Sequence, residues 1–373
     1  MATKHPYIGL PARALWSRGV ARNFDAADVV TADEPLLRPG DRVASIGSCF
    51  ASNIVPYIES AGLTYLRTEQ PPAQVAMLPE NLGYRDFSAA YGNVYTVRQM
   101  RQLLERATGQ FKPKEDRWYE GNHIIDPFRP GLAYPASSDV EFDAIAADHL
   151  AATRLAFETA DVVVVTLGLT EGWESTQDGA VFPTCPGTIA GSFEPSRHCF
   201  RNFTATETID DLAGVAGLVR TLNPRARLVV TVSPVPLVAT ASGRHVLVAT
   251  TYSKAVLRVA ADEVAANHDA VSYFPAYEIV TGPQAPHSFF EEDRRSVSAT
   301  AIQEVMRALL STSNLATVGG VTAVDHDAPS VPVKAGSAQE IGRSIAEAEC
   351  DEELLDRSTP EHGDKVRQKL PPP

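Results

Sequence analysis

The sequence carries four consecutive valines, residues 162–165, between Asp161 and Thr166. β-Branched residues favour strands, and a strand that is apolar at every position has both of its faces buried. Such strands are typical of parallel sheets that are covered by helices on both sides. The valine run therefore predicts an α/β protein in which strands alternate with helices.

Strand-like and helix-like segments alternate along the chain from Pro35 to about Leu310, as this architecture requires. The predicted strands are residues 43–46, 63–66, 162–166, 228–232 and 271–274. The predicted helices are one with Ile54, Val55 and Ile58 on a single face, and residues 143–159, 206–222 and 249–267. We expect a doubly wound parallel sheet with helices on both faces, a three-layer flavodoxin-like sandwich. Ligands of such sheets bind beyond the carboxyl ends of the strands.

Composition divides the chain into three regions. Residues 1–34 are predicted to form an irregular arm that packs on the domain through its prolines and Trp16. Residues 35–312 form the α/β domain. Residues 313–373 are rich in proline and acidic residues, which predicts a flexible tail with one short helix around 337–355.

Charge and cysteine content exclude several classes of protein. The formal net charge is -13, and no basic stretch offsets it, which argues against nucleic-acid binding. The N-terminal residues lack the apolar core of a signal peptide, and no apolar stretch is long enough to span a bilayer. The cysteines are scattered and do not form a disulfide framework. We therefore expect a cytoplasmic protein, and the sequence leaves its oligomeric state open.

Small and polar residues follow the predicted strands, where a parallel sheet binds its ligands. Gly47 and Ser48 follow the first strand, and Gly168 follows the valine strand. A serine on a glycine-led turn between a strand and a helix can hold its hydroxyl clear of the sheet, with backbone N–H groups facing a developing oxyanion. The alternative is that Ser48 only caps the following helix. The spacing alone leaves both interpretations open.

Several motifs in the sequence match one family in the right order. Residues 47–51 read Gly-Ser-Cys-Phe-Ala, and the similarity continues at 91–96, 126–129, 166–171, 185–187, 233–237, 252–254, 274–279 and around Asp293. The sequence thus resembles the bacterial GSCFA family over most of its length. That family resembles the SGNH, or GDSL-like, hydrolases. Those enzymes use a serine after the first strand, a glycine and an asparagine as oxyanion donors, and a C-terminal Asp-x-x-His pair.

The resemblance implies roles for individual residues. Ser48 matches the nucleophile, with Gly47 and Cys49 beside it in the substrate-binding turn. Gly92 is a candidate for the oxyanion glycine, and Asn93 adjoins it. Cys49 itself is an alternative nucleophile, although a small residue buried under the turn is the preferred interpretation.

The third block of the hydrolases, Gly-x-Asn, is altered in this chain. Gly168 matches its glycine, but Thr170 stands in place of the amide and Glu171 follows. A carboxylate that faced an oxyanion would repel it, so Glu171 is expected to orient another group, to bind substrate or to turn away. The alternative is that Thr170 and Glu171 cap a following helix.

The C-terminal pair departs most from the hydrolases. Asp293 matches the acidic member, but Ser296 occupies the position of the histidine. A serine without a neighbouring base is a poor nucleophile, because its hydroxyl stays protonated. Two replacements are open: His287 swings into the site, or Asp293 acts as the base with a pKa raised by burial.

Other residues carry weaker signals. Cys185, His198 and Cys199 match no standard zinc spacing, so we expect no metal and no cofactor. Arg129, Lys254 and Arg258 are candidates for binding an anionic group, and the alternative is that they lie on a solvated face. Trp173, Tyr252 and Tyr277 are candidates for sugar stacking, and the preferred alternative is a position in the core.

Two functional hypotheses follow. The first is a serine-dependent acyl-ester hydrolase or acyltransferase, with acylated sugars or polysaccharide as candidate substrates. In it Ser48 attacks the acyl carbonyl, Gly92 and Gly168 stabilise the oxyanion, and Asp293 supports proton transfer. The second is a catalytically inactive binding or regulatory protein on the same fold, because the histidine and the amide are replaced.

Overall fold

The computed structural model describes residues 5–32, 34–72, 83–84, 86–132, 134–311, 313 and 315. Its strands are β1 (Arg42–Ile46), β2 (Thr64–Tyr65), β3 (Trp118–Glu120), β4 (His123–Ile125), β5 (Val162–Leu167), β6 (Glu171–Ser175), β7 (Val181–Phe182), β8 (His198–Asn202), β9 (Arg227–Val232) and β10 (Val271–Phe274). Its helices are α1 (Trp16–Gly19), α2 (Ala26–Val29), α3 (Cys49–Ser52), α4 (Val55–Ser60), α5 (Val97–Ala107), α6 (Asp139–Thr159), α7 (Ala205–Leu222), α8 (Val246–Asn267), α9 (Ala276–Thr281) and α10 (Ala299–Ser311). Short 3₁₀ turns lie at Ala12–Ala14 and His287–Phe289.

The central sheet has five parallel strands in the order β10-β9-β5-β1-β2. The valine run forms the middle strand, β5, and every residue of that strand is buried. Its neighbours are set in register by the pairs Ile46 with Val165 and Val165 with Val230. The predicted parallel sheet is thus confirmed.

Helices cover both faces of this sheet. Helices α5, α6, α7 and α8 pack on one face, over side chains such as Ile46 and Val165. Helices α4, α9 and α10 pack on the other face, over side chains such as Val43 and Val164. The chain leaves β1 toward one edge and returns through β5 toward the other. The carboxyl ends of β1 and β5 therefore form the switch point of a doubly wound sheet, where ligands of such folds bind.

The helices begin where a side chain can satisfy their first free N–H groups. Ser138 accepts a hydrogen bond from the N–H of Glu141, which starts α6 four residues earlier than the predicted boundary at residue 143. Thr204 and Glu207 form a reciprocal capping box at the start of α7. The predicted set lacks α5, α9 and α10, the last of which closes the domain.

An antiparallel sheet interrupts the α/β pattern after β5. Its three strands lie in the order β7-β6-β8, and a separate hairpin pairs β3 with β4. Glu171 is the first residue of β6, so the segment after Thr170 is a strand. The alternative in which Thr170 and Glu171 cap a helix is therefore wrong.

The ends of the chain differ in what the structure describes. Ala26 is buried in the core beneath α10, and Asp25 accepts a hydrogen bond from Arg307. Trp16, expected to pack on the domain, is 66% exposed. The predicted tail, with its short helix around 337–355, lies outside the described residues apart from Ser313 and Leu315. None of the helices in the described part of the chain combines the length and the apolar character needed to cross a membrane.

A buried ion cluster anchors the segment that leads to residue 95. The Glu69 carboxylate accepts hydrogen bonds from Arg129 at 2.8 Å and from the N–H of Ala90 at 2.7 Å. Its second oxygen also contacts Nδ1 of His149 at 2.7 Å, and Asp126 contacts Nε of Arg129 at 3.0 Å. The cluster therefore fixes the backbone near residue 90 against helix α6.

Protonation states within the cluster follow from burial and neighbouring charge. Burial, together with the nearby Arg129, lowers the pKa of His149, so its neutral ring donates Nδ1–H to Glu69 at pH 7. Burial alone would raise the pKa of Glu69, but His149 and Arg129 outweigh it and lower that pKa to about 2. The cluster is therefore assembled with Glu69 ionised.

Removing one partner from the cluster should be costly. We expect Glu69→Gln to lower the free energy of unfolding by about 3–5 kcal/mol, because it leaves the Arg129 guanidinium buried with less compensating charge. Urea denaturation measures the loss. The matched control is Glu59→Gln, which removes a half-exposed partner of Arg67 and should cost less than about 1 kcal/mol. Equal losses of unfolding free energy in the two variants would show that the buried cluster stabilises the fold no more than an exposed ion pair does.

The stability difference between the wild type and Glu69→Gln should depend on pH. The folded pKa of Glu69, about 2, lies below its ordinary value of 4.5, so its contribution is complete above about pH 4.5 and is lost as the pH falls toward 2. We expect the difference in unfolding free energy between the wild type and Glu69→Gln to shrink over this interval. Denaturation curves recorded between pH 7 and pH 3 measure it. A difference that grows on acidification contradicts the assignment.

Candidate active site

Ser48 lies at the switch point of the sheet, directly after β1. Gly47 makes the turn with φ of +152°, and a Cβ there would lie 2.6 Å from the carbonyl oxygen of Thr166 on β5. Only glycine permits so close an approach of the two backbones. Ser48 then occupies the N-cap position of α3, but its side chain makes no capping hydrogen bond. The alternative in which Ser48 acts only as a helix cap is therefore not supported by the structure.

Gly168 brings the end of β5 to the Ser48 hydroxyl. A Cβ built on Gly168 would lie 3.6 Å from Oγ of Ser48 and 2.9 Å from the carbonyl oxygen of Tyr95. The N–H of Leu169 donates to that Tyr95 carbonyl at 2.8 Å, and the N–H of Val94 donates to the carbonyl of Gly47 at 2.9 Å. Three chain segments thus meet around Ser48, as the resemblance implied for Gly168.

At this junction the backbone N–H groups of Ser48 and Gly168 have no hydrogen-bond partner among the described residues. Both residues are buried, and Ser48 is 4% exposed. Nearly all buried N–H groups in folded proteins are paired, so two unpaired ones beside one hydroxyl are unusual. Donors of this kind are suited to stabilise an oxyanion that forms next to Ser48.

Gly92 and Asn93 belong to the segment that packs on this junction. Gly92 adopts φ of +64°, which favours glycine, and Asn93 offers its carbonyl to Nε2 of Gln99 at 3.0 Å. Oε1 of the same Gln99 accepts the N–H of Tyr95 at 2.9 Å. Buried Gln99 on α5 therefore holds the segment from two sides. The oxyanion roles of Gly92 and Asn93 stay predictions.

Thr170 and Glu171 orient neighbouring elements. The N–H of Thr170 donates to Oγ of Ser253 at 3.0 Å, and its hydroxyl donates to Oδ1 of Asn202 at 2.8 Å. Oε1 of Glu171 accepts the hydroxyl of Thr240 at 2.8 Å. Burial raises the pKa of Glu171, and the bond from Thr240 partly opposes that rise. Glu171 therefore ties the loop after β9 to the start of β6, one of the roles expected from the sequence.

Lys254 lies in the core, next to the end of β5, a position that was not predicted from the sequence. Its side chain is buried, with the residue 2% exposed, and Nζ donates to the carbonyl oxygen of Gly168 at 2.8 Å. The interpretation of Lys254 as part of a solvated helix face is therefore wrong. Its spacing from Leu257 and Ala261 places it on the apolar face of α8, and this spacing could have revealed its burial.

Asp293 and His287 lie in the exposed segment between α9 and α10. The Asp293 carboxylate accepts the hydroxyl of Ser296 at 2.6 Å and the N–H of Arg295 at 2.9 Å. Burial is the largest single effect on the pKa of Asp293 and raises it, but the hydrogen bonds from Ser296 and Arg295 together outweigh burial and lower that pKa. The expectation that burial would raise this pKa is therefore wrong. No hydrogen bond joins Asp293 or His287 to Ser48 in the part of the chain that the structure describes.

The other cationic and aromatic candidates have structural partners. Arg129 belongs to the buried cluster, and Arg258 binds Glu278 at 2.6 Å. Trp173 packs edge-on against Phe193 and Phe200. These residues therefore have partners within the protein and need no ligand to account for their positions.

Two cysteines, Cys185 and Cys199, have described side chains. Nε2 of His198 contacts Glu115, and burial raises the pKa of Cys185 to about 11. No cluster of three potential metal ligands occurs among the described residues. For Cys49 the structure describes only the backbone, at the start of α3.

A model of the family described as "GSCFA family" matches residues 42–309, from the first strand of the sheet to the last helix. The chain belongs to the GSCFA family. The match contains Ser48, Gly168, Lys254 and Asp293, so every residue discussed here lies within the family's own region. No curated protein matches the sequence significantly.

Solved structures with a similar fold include three esterases or lipases. The family 3 carbohydrate esterase of Clostridium thermocellum is 11% identical, with a TM-score of 0.33, over 73% of this chain and 94% of its own. A GDSL-like lipase from Bacteroides thetaiotaomicron is 12% identical, with a TM-score of 0.33, over 73% and 86%. A family 3 carbohydrate esterase from Talaromyces cellulolyticus is 11% identical, with a TM-score of 0.33, over 72% and 94%. Because this similarity is low, the function must be argued from the residues of the GSCFA chain itself.

The close approach at Gly47 yields a stability prediction. We expect Gly47→Ala to lower the free energy of unfolding by at least about 3 kcal/mol, because the new methyl group would meet the backbone of Thr166 in an unfavourable φ region. Gly121→Ala is the control, since Gly121 has φ of +58° but open space around it, and it should cost about 1–2 kcal/mol. Thermal unfolding of both variants measures the gap. Similar costs would mean that contact with β5 is not what requires glycine.

Proposed function

We propose that this GSCFA protein is a serine-dependent acyl-ester hydrolase or acyltransferase of SGNH type, with Ser48 as its nucleophile. One observation carries the proposal. The Ser48 hydroxyl lies at the switch point of the sheet, makes no capping bond, and adjoins two buried N–H groups that lack partners among the described residues. A helix cap needs none of these features, whereas an acyl-transfer site needs all of them.

The proposed reaction follows the chemistry of a serine nucleophile. Oγ of Ser48 attacks the acyl carbonyl carbon while its proton passes to a base. The N–H groups of Ser48 and Gly168 donate to the oxyanion of the tetrahedral intermediate. The intermediate collapses to an acyl-serine and releases the alcohol. Water, or a second alcohol in a transferase, then attacks the acyl-serine and frees Ser48.

The proposed acyl group is small. Ser48 is 4% exposed, its hydroxyl lies 3.6 Å from the Cβ position of Gly168, and the Tyr95 backbone packs against the same glycine. An acetyl group fits such a constriction better than a long acyl chain, whose methylene groups would meet backbone that cannot move cheaply. We extend the proposal to acetylated sugars, because acylated sugars are the candidate substrates by analogy with the SGNH hydrolases that this family resembles.

A second function, ligand binding without catalysis, is supported by a specific observation. The carboxylate expected to assist proton transfer, Asp293, is exposed and hydrogen-bonded within its own turn. A site that lacks a base could still bind an acyl ester or its carboxylate product. The two functions differ in whether the Ser48 hydroxyl reacts.

A fluorophosphonate probe tests the reactivity of Ser48. We expect the wild type to be labelled at Ser48, and to hydrolyse p-nitrophenyl acetate faster than p-nitrophenyl octanoate. Ser48→Ala should abolish labelling and lower ester turnover by at least about 10³-fold, because the nucleophile is lost. Intact-mass and peptide mass spectrometry locate the label. Ser60→Ala, which removes a hydroxyl on α4 that only bonds Tyr57, is the matched control and should keep wild-type rates.

Three other outcomes would overturn the proposal. Labelling that survives Ser48→Ala but disappears in Cys49→Ser assigns the nucleophile to the neighbouring residue. An unlabelled wild type that binds acetylated sugars without turning them over supports the binding function. An unlabelled wild type that binds none of them removes the acyl ester as a ligand.

A further inference from the structure

The proposed reaction needs a base for the Ser48 proton. The segment expected to supply that base, residues 287–296, includes exposed side chains that bond within the segment itself. Ser296 occupies the histidine position and donates its hydroxyl to Asp293 at 2.6 Å. Asp293 and His287 are both exposed. Glu171, another carboxylate near the junction, accepts the hydroxyl of Thr240. A different titratable side chain must therefore be sought around Ser48.

Lys254 reaches the junction from the opposite face of the sheet. Helix α8 carries it among the side chains that pack with Ile46 and Val165, whereas Asp293 precedes α10 on the other face. Nζ of Lys254 lies 2.8 Å from the carbonyl oxygen of Gly168, and Oγ of Ser48 lies 3.6 Å from the Cβ position of that same glycine. Gly168, which has no side chain, thus lies between the Lys254 amine and the Ser48 hydroxyl.

We propose that Lys254 is the base that accepts the Ser48 proton, so that the site works as a serine–lysine pair. This inference rests on the proposed function, since it assigns a base to the reaction of Ser48. Such pairs are an established alternative to the serine–histidine arrangement in hydrolases of other folds. Rotation about the four side-chain torsions of a lysine moves its amine between neighbouring acceptors at little cost.

The surroundings of Lys254 suit a base. Removal from water favours the neutral amine over the ammonium ion, and buried lysines serve as bases for this reason. Its hydrogen bond to Gly168 goes to a neutral carbonyl. A neutral amine can donate one N–H to this carbonyl and keep its lone pair for the proton of Ser48.

The proton balance of the reaction closes with Lys254 alone. As the bond between Oγ and the acyl carbon forms, the Ser48 proton moves to Nζ, which becomes an ammonium ion. As the intermediate breaks its bond to the alcohol oxygen, that oxygen takes the proton back from Nζ. In the second half, Nζ takes a proton from the attacking water and returns it to Oγ of Ser48.

Lys254 also helps to hold the oxyanion donor in place. The carbonyl of Leu167 accepts the N–H of Ser233 at 2.9 Å, which fixes the peptide that carries the Gly168 N–H. The next peptide is fixed by Lys254 at its carbonyl and by Tyr95 at the N–H of Leu169. A purely structural role of Lys254 would include this bond but no proton transfer, so the test must separate holding Gly168 from accepting a proton.

Two substitutions separate these roles. Lys254→Met removes both the hydrogen bond and the base at similar volume. Lys254→Arg keeps a cationic donor for the Gly168 carbonyl but does not accept a proton, because a guanidinium stays protonated in proteins. Arg258→Met is the matched control, since it removes a cation one turn further along α8 that binds Glu278. Circular dichroism and thermal unfolding confirm that each variant is folded.

The measurement is the rate of fluorophosphonate labelling of Ser48, with turnover of p-nitrophenyl acetate, from pH 5 to pH 10. We expect the wild-type rate to rise with pH along a single deprotonation limb. Lys254→Met and Lys254→Arg should both lose about 10²–10⁴-fold, which is the usual contribution of a general base, and should lack that limb. Arg258→Met should keep both the rate and the limb.

Chemical rescue with an added amine distinguishes a base from a structural residue, because it restores only proton transfer at Lys254. In Lys254→Ala, which opens space beside Gly168, we expect methylamine to restore labelling in proportion to the concentration of its free base. Methanol at the same concentration should restore none. If Lys254→Met does not fold, the arginine variant and the rescue of the alanine variant decide the outcome.

The outcomes distinguish this inference from the proposed function. Labelling of Ser48 that is unchanged in Lys254→Met overturns the role of Lys254 and leaves Ser48 as the nucleophile. Wild-type rates in Lys254→Arg with the limb intact show that Lys254 only positions Gly168, which also overturns it. A wild type that is not labelled at Ser48 overturns the proposed function and this inference with it.

Discussion

The close passage of the β1 turn over strand β5 sets the geometry of the whole site. Gly47 lies against the backbone of Thr166, where no side chain would fit. Because β1 and β5 are adjacent parallel strands, this contact places Ser48 directly beside Gly168. The chain moves outward in opposite directions from these two strands, which makes their carboxyl ends the switch point of the sheet. This backbone contact thus sets the position of Ser48 at the carboxyl end of β1.

Polar side chains inside the core hold the third segment of the site in register. Gln99 bonds the backbone of Asn93 and Tyr95, while Glu69 and Arg129 bind the backbone of Ala90. Satisfied polar groups in the interior hold a segment more specifically than apolar packing, because their hydrogen bonds require defined directions. The cost is that these groups must be buried and paired. A loop that carries candidate oxyanion donors needs this directional restraint, since an error of about 1 Å would remove much of their effect.

The sequence predicts the parts of the structure that follow from apolar periodicity. The valine run identified β5, and the strand ends led to Ser48 and Gly168. Apolar periodicity does not reveal an element whose buried residues are polar. Helix α5 was missed because Gln99 and Gln102 lie on its buried face, which breaks the apolar pattern. The antiparallel sheet of β6, β7 and β8 was missed because its strands are short and mixed in character. Long-range contacts such as that between Lys254 and Gly168 leave no periodic signal at all.

The replacement of the histidine position is easier to understand when both faces of the sheet are considered. A base must reach Ser48 from some element that ends near the switch point, and helices on either face satisfy that condition. If Lys254 on α8 accepts the Ser48 proton, as proposed above, the turn before α10 needs no catalytic base. Asp293 can then serve the turn itself by accepting the hydroxyl of Ser296. In that proposal, the serine at position 296 and the buried Lys254 both fit a proton acceptor that lies on the opposite face of the sheet from Asp293.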